Sequence, residues 1–126
     1  MTENEIAKII VDVCYKIHCS LGPGLFESVY EKIAAFELTN THGLKIETQV
    51  PIPVFWKDVK LDVGFRADLI VEDKVIVEFK SIEALAPVHF KQVLTYLKLS
   101  DCKLGLLINF ESELIKKGIR RVVNNL

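Results

Sequence analysis

Residues 65–80 constrain the fold of this chain more than any other stretch. Phe65-Arg66-Ala67-Asp68-Leu69-Ile70-Val71 and Val75-Ile76-Val77-Glu78-Phe79-Lys80 flank the polar triplet Glu72-Asp73-Lys74. As a hairpin with a three-residue loop, Val71 faces Val75, Leu69 faces Val77 and Ala67 faces Phe79, so one sheet face becomes wholly apolar. A slip of one residue would set this apolar row against the charged one. The register is therefore specified, although the loop lacks the glycine such loops often use. Parity then gives the other face, which pairs Ile70 with Ile76, Asp68 with Glu78 and Arg66 with Lys80.

Directly opposed residues have Cβ atoms roughly 5 Å apart, and two carboxylates at that separation repel unless positive charge lies between them. Two arrangements resolve the conflict. In one, Asp68 and Glu78 offer hard oxygen donors to a divalent cation, joined by the carbonyl of Phe79. Mg²⁺ suits such a set, with Mn²⁺ as the alternative. Lys80, on the same face, would then orient or help deprotonate an attacking water, or balance charge on a phosphate. In the other arrangement the face is a solvated charge ladder, Arg66 satisfying Glu78 diagonally and Lys80 satisfying Asp68. The hairpin alone does not choose between them.

The flanking sequence supplies the rest of an α/β domain. Ile6, Ile9, Ile10, Val13, Ile17 and Leu21 recur at helical spacing with Lys8, Asp12 and Lys16 opposite, which predicts a helix over 3–20 ended by Gly22-Pro23-Gly24. A second helix is expected over about 25–39, burying Leu25, Val29, Ile33 and Phe36. The period then changes to two, with strands expected at 45–55, 61–71 and 75–81, the first two separated by Lys57-Asp58. Pro87 suits the first turn of a helix reaching about Leu99, and Lys103–Phe110 reads as a central strand. The tail, with Leu114-Ile115 and Ile119–Val123 around Gly118, suits a short helix or an edge strand, and strand is the expectation. The order is helix, helix, three strands, helix, strand, in one mixed α/β domain spanning 1–126.

At 126 residues one core is enough, and half the residues are hydrophobic. The mean hydropathy of +0.28 is high for a short chain, and a homodimer would account for part of that excess. No apolar run reaches the roughly 18 to 20 residues a membrane span requires, and Met-Thr-Glu-Asn-Glu lacks the design of a signal peptide. The expected location is the cytoplasm. Cys14, Cys19 and Cys102 are odd in number and lack CxxC spacing, which favours reduced thiols over disulfides or zinc. Sixteen basic and seventeen acidic residues give a net charge of −1, so any nucleic-acid binding must come from a local patch. The cluster Lys116, Lys117, Arg120 and Arg121 is the one candidate.

Asp68 followed by Glu78-Phe79-Lys80 resembles the active site of the PD-(D/E)xK nuclease superfamily, an acid on one strand and an acidic-x-Lys triplet on the next. Ala67 stands in place of the proline before the first acid. More specifically, Gly24-Leu25-Phe26-Glu27-Ser28-Val29-Tyr30 is similar to the signature of the small GxxExxY proteins, and the resemblance extends to Asn124. It implies a restriction-endonuclease-like core, a mixed central sheet flanked by helices, whose order of helix, three strands, helix and strand matches the reading above.

The resemblance also implies roles. Asp68, Glu78 and Glu27 are expected to hold the metal, since an acid on a preceding helix often completes the site. Glu27, Tyr30 and Glu31 share one helix face by their spacing. Gln92 and Tyr96, four apart, resemble the QxxxY element of the exonuclease-type branch and are expected to support the site or contact substrate, as are Tyr30 and Arg66. His89 is not expected to be catalytic. The function expected is metal-dependent hydrolysis of nucleic-acid phosphodiester bonds, with DNA as the substrate. The alternative is a non-catalytic nucleic-acid-binding or protein-interaction domain that keeps the fold.

Overall fold

The computed structural model describes residues 1–126. Helices α1 (Glu3–Leu21) and α2 (Glu27–Asn40) are followed by β1 (Ile46–Pro51), β2 (Val54–Trp56), β3 (Val59–Leu61), β4 (Arg66–Val71) and β5 (Val75–Lys80). Then come α3 (Pro87–Ser100), β6 (Leu104–Asn109), the single turn α4 (Ile115–Gly118) and β7 (Ile119–Val123). The main sheet has the order β1-β4-β5-β6-β7, antiparallel except for the parallel pair β5–β6 that α3 connects.

The helix α1 begins at a capping box. Thr2 Oγ1 accepts from Glu5 N at 3.2 Å and Glu5 Oε1 accepts from Thr2 N at 2.9 Å, which contributes about 1 kcal/mol to the helix start. The stripe Ile6, Ile10, Val13 and Ile17 is buried as its spacing predicts, while Leu21 is exposed. In α2 the expected stripe is rotated. Tyr30, Glu31, Ala34 and Leu38 are buried, whereas Phe36 is 61% exposed. Tyr30 sets this rotation by stacking on Phe110 at 4.1 Å between ring centroids.

The two sheet faces carry separate clusters. Side chains of α1 and α2 pack on Leu69, Val71, Val75, Val77 and Phe79, and those of α3 pack on Ala67, Ile70, Ile76 and Leu107. The hairpin β4–β5 has the expected register at Val71↔Val75, Ile70↔Ile76 and Leu69↔Val77, whereas the expected pairs Asp68–Glu78, Ala67–Phe79 and Arg66–Lys80 do not form. Its glycine-free loop is formed by Glu72 and Asp73 in left-handed conformations, φ 54° and 56°. Lys45 holds both, through its N–H to Glu72 Oε2 at 2.7 Å and its ammonium to Asp73 Oδ2 at 2.8 Å.

Two further expectations are corrected. The strand expected over 45–55 breaks at Ile52-Pro53, where proline offers no N–H to a ladder. The following residues form a separate two-stranded arm, β2–β3, and β4 resumes only after Gly64 (φ 81°). In this arm Val54 opposes Leu61 and Trp56 opposes Val59, which leaves an exposed apolar face. The tail contains both forms considered, a helical turn and then an edge strand. Gly118 sits at their junction, where a Cβ would run into the Asn109 carbonyl oxygen.

Candidate active site

The β4–β5 ladder ends at Leu69↔Val77, and the strands fork beyond it. Side chains take over from the missing backbone bonds. The Asp68 N–H donates to Glu78 Oε1 at 3.3 Å, and the Phe79 N–H donates to Asp68 Oδ2 at 2.9 Å. The two expected carboxylates are therefore brought together, each held by the backbone of the opposite strand. Glu78 is 5% exposed, and burial first, then the charge of Asp68, pushes its carboxyl up to about 9. The positive charge of Lys80 opposes this shift without cancelling it.

On its other side Asp68 meets Gln49 of β1. The amide Nε2 of Gln49 donates to Asp68 Oδ1 at 3.2 Å and to Glu31 Oε1 at 2.6 Å. The third carboxylate of the constellation is thus Glu31, buried on α2 and raised above the usual carboxylate range by burial and by Asp68. Glu27, the residue expected here, lies one helical turn earlier. It lines a cleft of about 580 Å³ with Ser28, Ser81 and Glu111, and no hydrogen bond joins it to Asp68 or Glu78. Sequence spacing put both acids on one helix face, but the rotation of α2 selects Glu31.

The charge ladder does not form. Both ion pairs in the structure involve Lys45, at the far end of the hairpin. Arg66 opposes Pro51 and donates to the Gln49 carbonyl at 3.5 Å, while Lys80 makes no ion pair and its positive charge acts on Glu78. Lys80 lies opposite Asn109 in the parallel register. Asn109 is not among the residues expected at the site; its buried amide accepts from Ile82 N at 3.1 Å and donates to Ile82 O at 2.9 Å, fixing the chain as it leaves β5. A polar residue inside the apolar run 104–110 was the available signal.

The remaining expected residues fall into distinct places. Gln92 Nε2 donates to the hydroxyl of Tyr96 at 3.1 Å, and both line a groove of about 320 Å³ with Phe65 and Val88. Burial raises the Tyr96 hydroxyl above its usual range, and the charges of Glu78 and Asp68 add to the shift, so this phenol lies on the α3 side of the same acids. Tyr30 is fully buried: its hydroxyl donates to Gly22 O at 2.6 Å and accepts from Leu25 N at 3.2 Å. It supports the α1–α2 loop and has no surface to offer a substrate. His89 Nδ1 accepts from Ala86 N at 2.9 Å, an ordinary helix cap. The basic cluster is exposed on α4 and β7, two strands away from β5.

Three carboxylates, a lysine and a forked strand pair form a set suited to a divalent cation and phosphate. The acids are linked through Gln49 and backbone N–H groups, and no three of them stand close enough together to enclose a metal ion. Their oxygen donors are nevertheless of the kind a hard cation takes. An acid on one strand and an acid-x-lysine triplet on its neighbour, at the fork of a mixed sheet, match the pattern of a PD-(D/E)XK-type site.

The chain belongs to the PD-(D/E)XK nuclease superfamily, whose family model matches residues 4–122. Its five-stranded mixed sheet between helices is a restriction-endonuclease-like fold. The crystal structure of SSO0001 is similar, with 18% identity, 96% of this chain and 79% of that chain covered and a TM-score of 0.51, a likeness of fold. No curated protein matches the sequence. No helix is long and apolar enough to cross a membrane.

Proposed function

We propose that this chain is a metal-dependent nuclease that hydrolyses phosphodiester bonds in DNA, and that within the superfamily it is one of the GxxExxY proteins. The observation that carries this reading is the crossed pair of hydrogen bonds that sets the carboxylates of Asp68 and Glu78 together beside an unpaired Lys80. In this reading Asp68, Glu78 and Glu31 hold the cation. The hardness of their oxygens favours Mg²⁺, with Mn²⁺ as its substitute. When bound, such an ion polarises a phosphodiester and offsets the negative charge that develops on it.

The chain's own groups account for the rest. Lys80 orients the attacking water or balances charge on the phosphate, and the fixed Asn109–Ile82 contact keeps the strand end that carries it in place. Gln92 and Tyr96 support the site along the α3 groove. The reading places the protein in the cytoplasm with reduced thiols. Its three cysteines are free, and burial pushes the Cys14 thiol up to about 12. A homodimer belongs to the same reading, supported by the exposed Trp56, Val59 and Leu61 on the β2–β3 arm.

The test is cleavage of labelled single- and double-stranded DNA in Mg²⁺ and in Mn²⁺ by wild type and Lys80→Ala. Metal-dependent cleavage lost in the variant supports the proposal. DNA binding without turnover in either metal would favour the non-catalytic alternative, a domain that keeps the fold for binding.

A further inference from the structure

Gln49 and Asp68 face each other at a point where the β1–β4 ladder skips a pair: Thr48 partners Leu69 and then Val50 partners Ala67. Gln49 has φ 50°, a left-handed conformation that costs a non-glycine residue roughly 1 kcal/mol. Both strands change faces here. Ile46 packs with the α1–α2 cluster, whereas Val50 and Ile52, of the same parity, pack with the α3 cluster. Leu69 and Ala67 divide in the same way. A strand would not interrupt its ladder and adopt strained backbone without something gained in return. The visible gain is the reach of one amide nitrogen to both Glu31 and Asp68, while Arg66 takes up the carbonyl that the ladder leaves free.

We infer that Gln49 is a positioning residue: its irregular backbone aims a neutral donor between two carboxylates and holds the helix-borne Glu31 against Asp68. The inference rests on the metal-dependent reading above. Glu31 belongs to a different layer from Asp68 and Glu78, and the Gln49 amide is the donor through which the sheet holds its carboxylate. The amide relieves the repulsion between Glu31 and Asp68 before any cation arrives and keeps these two acids together. Partners of metal-binding carboxylates typically change affinity by about 10- to 100-fold when removed.

The test is Gln49→Gly, which tolerates the positive φ and removes the side chain that carries the amide. Mn²⁺ affinity is measured by isothermal titration of wild type, Gln49→Gly and Asp68→Asn. Melting temperatures in EDTA are measured for Gln49→Gly, Glu31→Gln and the double variant. The expected result is a Gln49→Gly protein that remains folded in EDTA and binds Mn²⁺ at least about 10-fold more weakly. Its melting shift should combine non-additively with that of Glu31→Gln. Wild-type affinity in Gln49→Gly, or additive melting shifts, would overturn the inference while leaving the metal site intact. If wild type itself binds no Mn²⁺ and the shifts are still non-additive, the metal-site reading has failed, and Gln49 is an ordinary structural clamp. That outcome also overturns the inference.

Discussion

Asp68 and Glu78 are joined by two crossed hydrogen bonds, the Asp68 N–H donating to the Glu78 carboxylate and the Phe79 N–H donating to the Asp68 carboxylate. The pair replaces one rung of the β4–β5 ladder with two acids. It exchanges backbone regularity for a local excess of negative charge, and that exchange has measurable consequences.

Stability without metal should depend on pH through Glu78. Its folded-state value of about 9 lies above the ordinary 4.5, so the group contributes most to stability when protonated, below about pH 4.5. That contribution is lost as pH rises from there through 9. Glu78→Gln retains an oxygen to accept from Asp68 N and carries no charge. In EDTA at pH 8 it should be more stable than wild type by on the order of 5 kcal/mol, the two converging near pH 4. Thermal melts across this range check the prediction, and equal stability at pH 8 would contradict it.

The two acids of α2 should separate cleanly. Glu31 is held against Asp68 by Gln49, whereas Glu27 borders the cleft with Ser81 and Glu111. Glu31→Gln should weaken Mn²⁺ binding about 10-fold or more, and Glu27→Gln by much less. Isothermal titration of the two variants gives the order directly.

Tyr30→Phe keeps the ring stacked on Phe110 and removes the hydroxyl that ties Gly22 O to Leu25 N. The expected loss is about 1–2 kcal/mol in stability, with cleavage per folded molecule unchanged. Urea unfolding and a rate normalised to folded protein measure the two effects. A fall in rate without a fall in stability would instead make Tyr30 part of the site.

Gly105 lies where α3 crosses β6, and a Cβ there would meet Val93 Cγ1 at 2.5 Å. Gly105→Ala must push α3 outward or force Val93 from its rotamer, at a cost of about 1–3 kcal/mol. Since α3 carries Gln92 and Tyr96, the variant should also disturb the groove they line. Comparing its melting temperature and DNA affinity with those of wild type tests both parts.

Much of this architecture is legible in the sequence because period and charge agree there. The α1 stripe, the β4–β5 register and the central strand β6 follow from apolar spacing that has one low-energy solution. The face-changing irregularity at Gln49 and Asp68 is not legible, because it is fixed by two strands and a helix at once and no glycine marks it. For the same reason Ala67, expected opposite Phe79 on one apolar face, packs instead with the α3 cluster. Glu31 was visible as a face-mate of Glu27. Choosing between them required the rotation of α2, which Tyr30 and Phe110 set across 80 residues of chain. The β2–β3 arm was hidden by its own composition: Val54-Phe55-Trp56 and Val59-Lys60-Leu61 have strand character, and only Pro53 and Gly64 separate them from β1 and β4.

The central claim is that Asp68 and Glu78 form a working metal site. The most direct measurement is isothermal titration of Mg²⁺ and Mn²⁺ into wild type and Asp68→Asn, with DNA cleavage assayed on the same samples. Binding and cleavage that are present in wild type and absent in Asp68→Asn are the predicted result. A wild type that binds neither metal, even with DNA present, would contradict the claim.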